Sequence, residues 1–162
     1  MLLYRSFISS NFSYCPVSWI FCGKRNSTKL EKLQERALRF VFSDCNSSYD
    51  ELLKRGNMLS LCVYRLRFLA IEMYKCVNNH NPSYLNDLFE QKVTPYNMRD
   101  DYRLKQYKFC TVKYGYKSFK YYGAKLWNAL PPDVKCSDNL NIFKRKITEW
   151  CHSSSCNDLI IF

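Results

Sequence analysis

The chain has 162 residues, of which 47% are hydrophobic and 17% aromatic, which excludes wholesale disorder and is enough to bury a core as one domain or two small helical lobes. Only 4 residues are glycine, which disfavours a Gly-rich phosphate loop. The formal net charge is +11 and lies in two blocks: residues 1–43 hold 7 Lys/Arg against 2 Asp/Glu and residues 93–135 hold 9 against 3, whereas 44–92 (6 against 6) and 136–162 (3 against 3) are neutral. Clustering of this kind produces a surface field suited to polyanions, nucleic acid being the commonest.

Residues 2–10 read as a short helix with Leu3, Phe7 and Ile8 on one face. Ser13-Tyr14-Cys15-Pro16 breaks it, Trp19-Ile20-Phe21 forms an apolar patch, and Gly23 to Ser27 reads as a turn. Thr28 with Glu31 has capping-box spacing and predicts a helix to about Phe42, with Leu30, Leu33, Ala37 and Val41 inward and Glu35 to Arg39 as an i,i+4 pair. Ser48 with Glu51 repeats the box for a short helix ended at Gly56. Leu59, Val63, Leu66, Ala70, Met73 and Val77 alternate steps of four and three, the seam of a helix packed against another helix. Asn81-Pro82 reads as an N-cap and first-turn proline for a short helix through Phe89.

Residues 92–117 lack a helical period, and Lys105 to Tyr114 alternates loosely, which predicts short strands or an extended segment. Helix returns at Ser118, with Phe119, Tyr122, Leu126 and Ala129 inward, and stops at Pro131-Pro132. Asp138 is expected to cap a last helix in which Leu140, Phe143, Ile147 and Trp150 line one face. The expected fold is therefore mainly α: a helical bundle over 1–90, a small basic α+β segment with short strands over 93–152, and a tail over 153–162.

Nine cysteines do not form a disulfide framework on this reading, because the number is odd and the spacings are scattered. No stretch reads as a signal peptide or reaches the ~20 apolar residues of a membrane span. An intracellular compartment, cytoplasmic or nuclear, is expected. A zinc site needs four ligands at close spacing, and Cys151, His152 and Cys156 with distant Cys136 match a finger or knuckle poorly.

The chemical signal lies between Tyr96 and Lys125. Arg99, Arg103, Lys105, Lys108, Lys113, Lys117 and Lys120 interleave there with Tyr102, Tyr107, Tyr114, Tyr116 and Tyr121. Cations neutralise phosphates and release counterions, while tyrosine faces stack on unpaired bases. Arg99, Arg103, Lys105, Tyr107, Lys108, Lys113, Tyr114, Lys117 and Lys120 are the candidate nucleic-acid-binding residues. The alternative is a solvated basic face over aromatic core residues. No Cys/His nucleophile pair is identifiable. Met98-Arg99-Asp100-Asp101-Tyr102 offers paired aspartates, but its flanks are polar and basic rather than apolar strands, so a solvated loop is expected.

Order and spacing carry a family resemblance. Tyr14-Cys15 and Trp19 precede Lys29-Leu30-x-x-Leu33-Gln34-x-Arg36-Ala37. Met73-Tyr74-Lys75, Pro82-x-Tyr84-Leu85-x-Asp87-Leu88-Phe89 and Tyr96-Asn97-x-Arg99 follow. Ser118-Phe119-x-Tyr121-x-Gly123-Ala124-x-Leu126-Trp127-Asn128-x-Leu130-Pro131 and Phe143-Lys144-x-Lys146 close the run. Nearly the whole chain thus resembles the region downstream of the palm in jockey-like LINE-type (non-LTR) retrotransposon reverse transcriptases. The resemblance implies a thumb-like helical segment and a trailing domain that hold RNA and DNA as template–primer, with the palm and fingers of the same polyprotein as further partners. The carboxylates that hold two Mg2+ ions would lie before Met1, so the segment is expected to be inactive alone and to carry no cofactor. A second reading from another class is a protein-interaction remnant that docks on the missing palm and binds no nucleic acid.

Overall fold

Where apolar residues recur at three- and four-residue steps the chain is helical, and helix dominates the described residues. The computed structural model describes residues 2–92 and 103–152, except for the side chains of Lys113 and Tyr114. Two compact units divide within a single long helix, between Phe68 and Leu69. The boundary drawn at 90–93 follows charge and motif order; the packing division follows the cores.

In the first unit, a π-helical turn over Tyr4–Ser9 runs into α1 (Ser10–Ser13). Tyr4 is buried and Ile8 packs beside it, while Leu3 and Phe7 point to solvent. The expected face was Leu3, Phe7 and Ile8; the wider turn places Tyr4 inward instead. Cys15 takes a left-handed conformation (φ 45°) and Pro16 opens α2 (Pro16–Trp19). The main helix α3 (Lys24–Phe42) begins at Gly23, so residues 24–27 are helical rather than a turn. Its buried stripe is Ser27, Gln34 and Leu38, and Leu33 is exposed.

The expected Thr28–Glu31 box does not form. Thr28 Oγ1 donates to the Lys24 carbonyl at 3.0 Å, and Glu31 is used elsewhere. Its carboxylate accepts the backbone N–H groups of Leu61 (3.2 Å) and Cys62 (2.8 Å), the first turn of α5 (Leu61–Val77), and the Tyr49 hydroxyl at 2.6 Å. Burial pushes the Tyr49 hydroxyl up, and the Glu31 charge adds to it, so Tyr49 remains a donor. A negative group at the N-terminus of α5 satisfies orphan donors and meets the positive end of the helix dipole. Glu35–Arg39 pairs at 2.7 Å as expected.

The second box does form: Glu51 N–H donates to Ser48 Oγ (3.3 Å) and Ser48 N–H to the Glu51 carboxylate (2.9 Å), opening α4 (Tyr49–Gly56). The left-handed residue that ends α4 is Asn57 (φ 48°), one past Gly56. Between α3 and α4, Asp44 accepts the N–H groups of Asn46 and Ser47, the Ser47 hydroxyl and Arg55, which together hold its carboxyl well below the usual range.

In the second unit, the α5 residues Leu69, Ala70, Met73, Tyr74 and Cys76 are buried with Tyr122, Ala124, Leu126 and Trp127 of α7 (Phe119–Ala129) and with Phe143, Ile147 and Cys151 of α9 (Leu140–His152). The Tyr74 and Phe143 rings lie 4.4 Å apart at 27°, and Trp127 lies 6.2 Å from Phe143. The Tyr74 hydroxyl donates to the buried Ser137 carbonyl at 2.8 Å. Two short turns, α6 (Ser83–Asn86) and α8 (Pro132–Lys135), connect these helices.

Ser118 caps α7 as expected, accepting from Tyr121 N–H. Ala129, however, is exposed and Trp127 is the buried residue. At α9 the cap is Asn139, whose side chain accepts the Ile142 N–H at 3.0 Å, rather than Asp138. Asn81 does not cap α6: its amide donates to Cys76 Sγ, and Pro82 precedes the helix with no side-chain cap.

The expected short strands are absent among the described residues. One isolated antiparallel bridge joins Gln91 and Leu104, flanked by Lys92 N–H to the Arg103 carbonyl (2.8 Å) and Lys105 N–H to the Glu90 carbonyl (2.9 Å). On its other edge Leu104 meets the Asn128 amide, which accepts its N–H at 2.8 Å and donates to its carbonyl at 2.9 Å. A side chain thus occupies the position of a third strand. Beyond Lys105 no further ladder is formed among the described residues; the chain bends at Cys110 and then winds into a π-helical turn over Val112–Tyr116. Among the described residues no helix is long and apolar enough to cross a membrane.

Candidate nucleic-acid interface

The Leu126-Trp127-Asn128-x-Leu130-Pro131 run builds the site. Leu126, Trp127 and Leu130 are buried and fix the end of α7. Asn128 then clamps Leu104, which anchors the segment 103–111 beside the helix. Lys105 and Tyr107 come together on this segment, with Lys105 Nζ 5.4 Å from the Tyr107 ring, while Leu104 is buried.

Two adjoining features result. The first is an open concavity of about 810 Å3, lined by Lys92, Arg103, Lys105 and Lys125 together with Glu90 and Asn128. Four cations stand there against one carboxylate. Glu90 receives Lys105 Nζ at 2.9 Å, with both side chains more than half exposed. Hydrogen bonding from the Tyr107 hydroxyl and from Lys105 holds the Glu90 carboxyl below its usual range, and the same interactions raise Tyr107 and Lys105, so all three keep their ordinary charge states near neutral pH.

The second is a cleft of about 430 Å3 lined by Gln106, Tyr107, Lys108, Phe109, Tyr116 and Tyr121. Phe109 and Tyr121 meet edge-to-face (5.9 Å, 73°), and Tyr116 and Tyr121 are tilted at 42° and 4.9 Å. Lys120 Nζ lies 3.9 Å from the centroid of the Tyr107 ring and Lys105 Nζ 5.4 Å from it, within cation–π range. Lys125 Nζ donates to the Tyr116 hydroxyl at 3.1 Å. Cations and aromatic faces are therefore held together by specific interactions rather than scattered on the surface.

Of the residues expected to bind nucleic acid, Arg103 and Lys105 line the concavity, Tyr107 and Lys108 line the cleft, and Lys120 covers Tyr107. Lys117 is half-buried at the end of the π-helical turn and lines neither. Arg99, like Asp100 and Asp101, lies outside the described residues, as do the side chains of Lys113 and Tyr114. Sequence reasoning missed Lys92, Glu90, Phe109 and Lys125, the last of which it used only as the end of the basic stretch. The first two arrive through the single bridge with 103–105, which no local pattern announces. Phe109 carried a signal in Gly115: a Cβ there would lie 2.8 Å from Phe109 Cγ, so the ring seats only against a glycine.

Among the described residues no three His, Cys, Asp or Glu side chains converge as metal ligands, and Cys151 is buried on the inner face of α9 while Cys156 lies outside the described residues. No protein-family model, curated protein or solved structure matches the chain.

Proposed function

We propose that the chain is the non-catalytic C-terminal part of a LINE-type, jockey-like retrotransposon RNA-directed DNA polymerase, acting inside the cell and contacting template–primer through its basic–aromatic surface. The observation that carries this reading is the placement of Lys92, Arg103, Lys105 and Lys125 around one concavity that adjoins the tyrosine-rich cleft. Lysine and arginine there would neutralise backbone phosphates, which carry no sequence information. The motif order supports the family assignment, and three of its members have defined structural work. Asn128 clamps Leu104, Trp127 packs in the core near Phe143, and Gly123 admits Met73, whose Sδ would lie 2.5 Å from an added Cβ.

The test is equilibrium binding of the whole chain to a primed RNA template across a salt series. Removing one cation that neutralises a phosphate flattens the log–log salt slope by about 0.7–0.9. Lys105→Glu with Lys108→Glu should weaken binding uniformly across sequences and reduce the slope by roughly 0.7–0.9, the share of Lys108, because Glu90 already engages Lys105. A folded chain that binds no RNA or DNA at low salt refutes the reading.

One observation favours docking on protein for the first unit. Leu2, Leu3, Phe7, Leu33 and Phe40 are large apolar side chains at least half exposed, and Leu33 and Phe40 stand two turns apart on α3; a surface uniting them would suit packing on a neighbouring domain such as the palm. Association through that surface would be insensitive to salt, in contrast to phosphate binding.

A further inference from the structure

The cleft formed by Tyr107, Phe109, Tyr116 and Tyr121 differs from the concavity beside it in having four rings and a single cation, Lys108, in its walls. We propose that this cleft takes one unpaired nucleobase, which makes the surface selective for single-stranded over fully paired nucleic acid; the proposal rests on the nucleic-acid reading above.

Size, ring arrangement, charge and construction all point the same way. At about 430 Å3 the cleft falls within the roughly 300–1,000 Å3 of sites that hold a small organic group. Its ring pairs are edge-on or tilted, so none is spent in a face-to-face stack. Lys108 lines the cleft, Lys120 and Lys105 flank it over Tyr107, and Lys125 holds Tyr116. An apolar peptide would find these four cations unhelpful, whereas a nucleotide places an aromatic ring beside an anion. The cleft is also built rather than incidental. The close approach of Gly115 to Phe109 sets one wall, and the Lys125–Tyr116 hydrogen bond sets another. A base inside a duplex is stacked on both faces and paired on its edge, so it enters only by leaving the helix; an unpaired base enters without that cost.

The experiment measures binding of the whole chain to three labelled oligonucleotides: a single strand, the same strand carrying abasic sites, and its blunt duplex. Wild type should bind the single strand most tightly, and the abasic strand should lose most of that preference. Phe109→Leu keeps an apolar wall but removes the ring. Gly115→Ala displaces the ring. Each should weaken the single strand about tenfold, the effect of losing one stacked base, and the duplex by less than about twofold. Should Gly115→Ala fail to fold, Phe109→Leu decides alone, with near-UV circular dichroism as the check on packing. Equal binding of all three oligonucleotides by wild type, or equal losses on single strand and duplex in Phe109→Leu, overturns base insertion and leaves phosphate binding standing. Binding of none of the three by folded wild type overturns both readings.

Discussion

Replacing Glu90 by glutamine removes the one carboxylate from a concavity otherwise lined by Lys92, Arg103, Lys105 and Lys125. The substitution keeps the side chain's shape and an oxygen that still accepts from the Tyr107 hydroxyl. It releases Lys105, whose Nζ sits 2.9 Å from the carboxylate. If phosphates enter this concavity, Lys105 becomes one further cation available to displace a counterion. The slope of log affinity against log salt should then steepen by about 0.7 on a single strand and about 0.9 on a duplex. Between roughly 50 and 200 mM salt the logarithm of concentration changes by about 0.6, so the advantage of Glu90→Gln over wild type should shrink about 2.6-fold on a single strand across that range. Fluorescence anisotropy at four or more salt concentrations resolves such a difference. Tighter binding with a steeper slope is the expected result. Unchanged affinity and slope in a folded variant would show that nucleic acid does not approach this face, whatever else the chain binds.

Three further outcomes follow from the same structure. Glu31→Ala removes the acceptor of two α5 N–H groups and should cost about 2–4 kcal/mol, the sum of a lost cap and charge-assisted bonds, lowering the unfolding midpoint by roughly 5–15 °C in a thermal melt. Tyr49 keeps Gln34 as a partner at 2.7 Å, so a much larger loss would mean that more than the cap had failed. The Asp44 carboxyl is lowered by its hydrogen bonds with Ser47, Asn46 and Arg55, so its contribution is present above the ordinary carboxylate value and disappears as pH falls through the depressed one. Asp44→Asn should therefore start from a lower midpoint at neutral pH and decline less steeply below about pH 4; parallel profiles would refute the assignment. Finally, the purified chain with Mg2+ should not extend a primed RNA template, and extension abolished by Asp100→Ala would overturn the reading of Asp100-Asp101 as a solvated loop.

Two capping boxes with the same spacing show what the sequence by itself determined. Ser48 and Glu51 cap each other because both partners lie within one turn and nothing else competes for them. Helical content, the proline breaks and the Glu35–Arg39 pair were legible for the same reason: their energetics are local. Thr28 and Glu31 have the same pattern and a different fate, since the N-terminus of α5, thirty residues on, offers Glu31 two orphan N–H donors that a local box cannot match. The site follows the same division. Clustered lysines, arginines and tyrosines from Tyr96 to Lys125 raised the expectation of a polyanion surface, and of these Tyr107, Lys105 and Lys120 come together. Among the described residues of that stretch the expected strands are absent, because alternation provides half of a ladder and only packing supplies the other half. Here the partner edge is a single bridge and the Asn128 side chain. That bridge brings Glu90 and Lys92 beside Arg103 and Lys105, and the close approach of Gly115 seats Phe109. Tertiary structure alone decided the pairing of Glu90 and Lys92 with Arg103 and Lys105, because it joins segments whose separation along the chain carries no periodic signal.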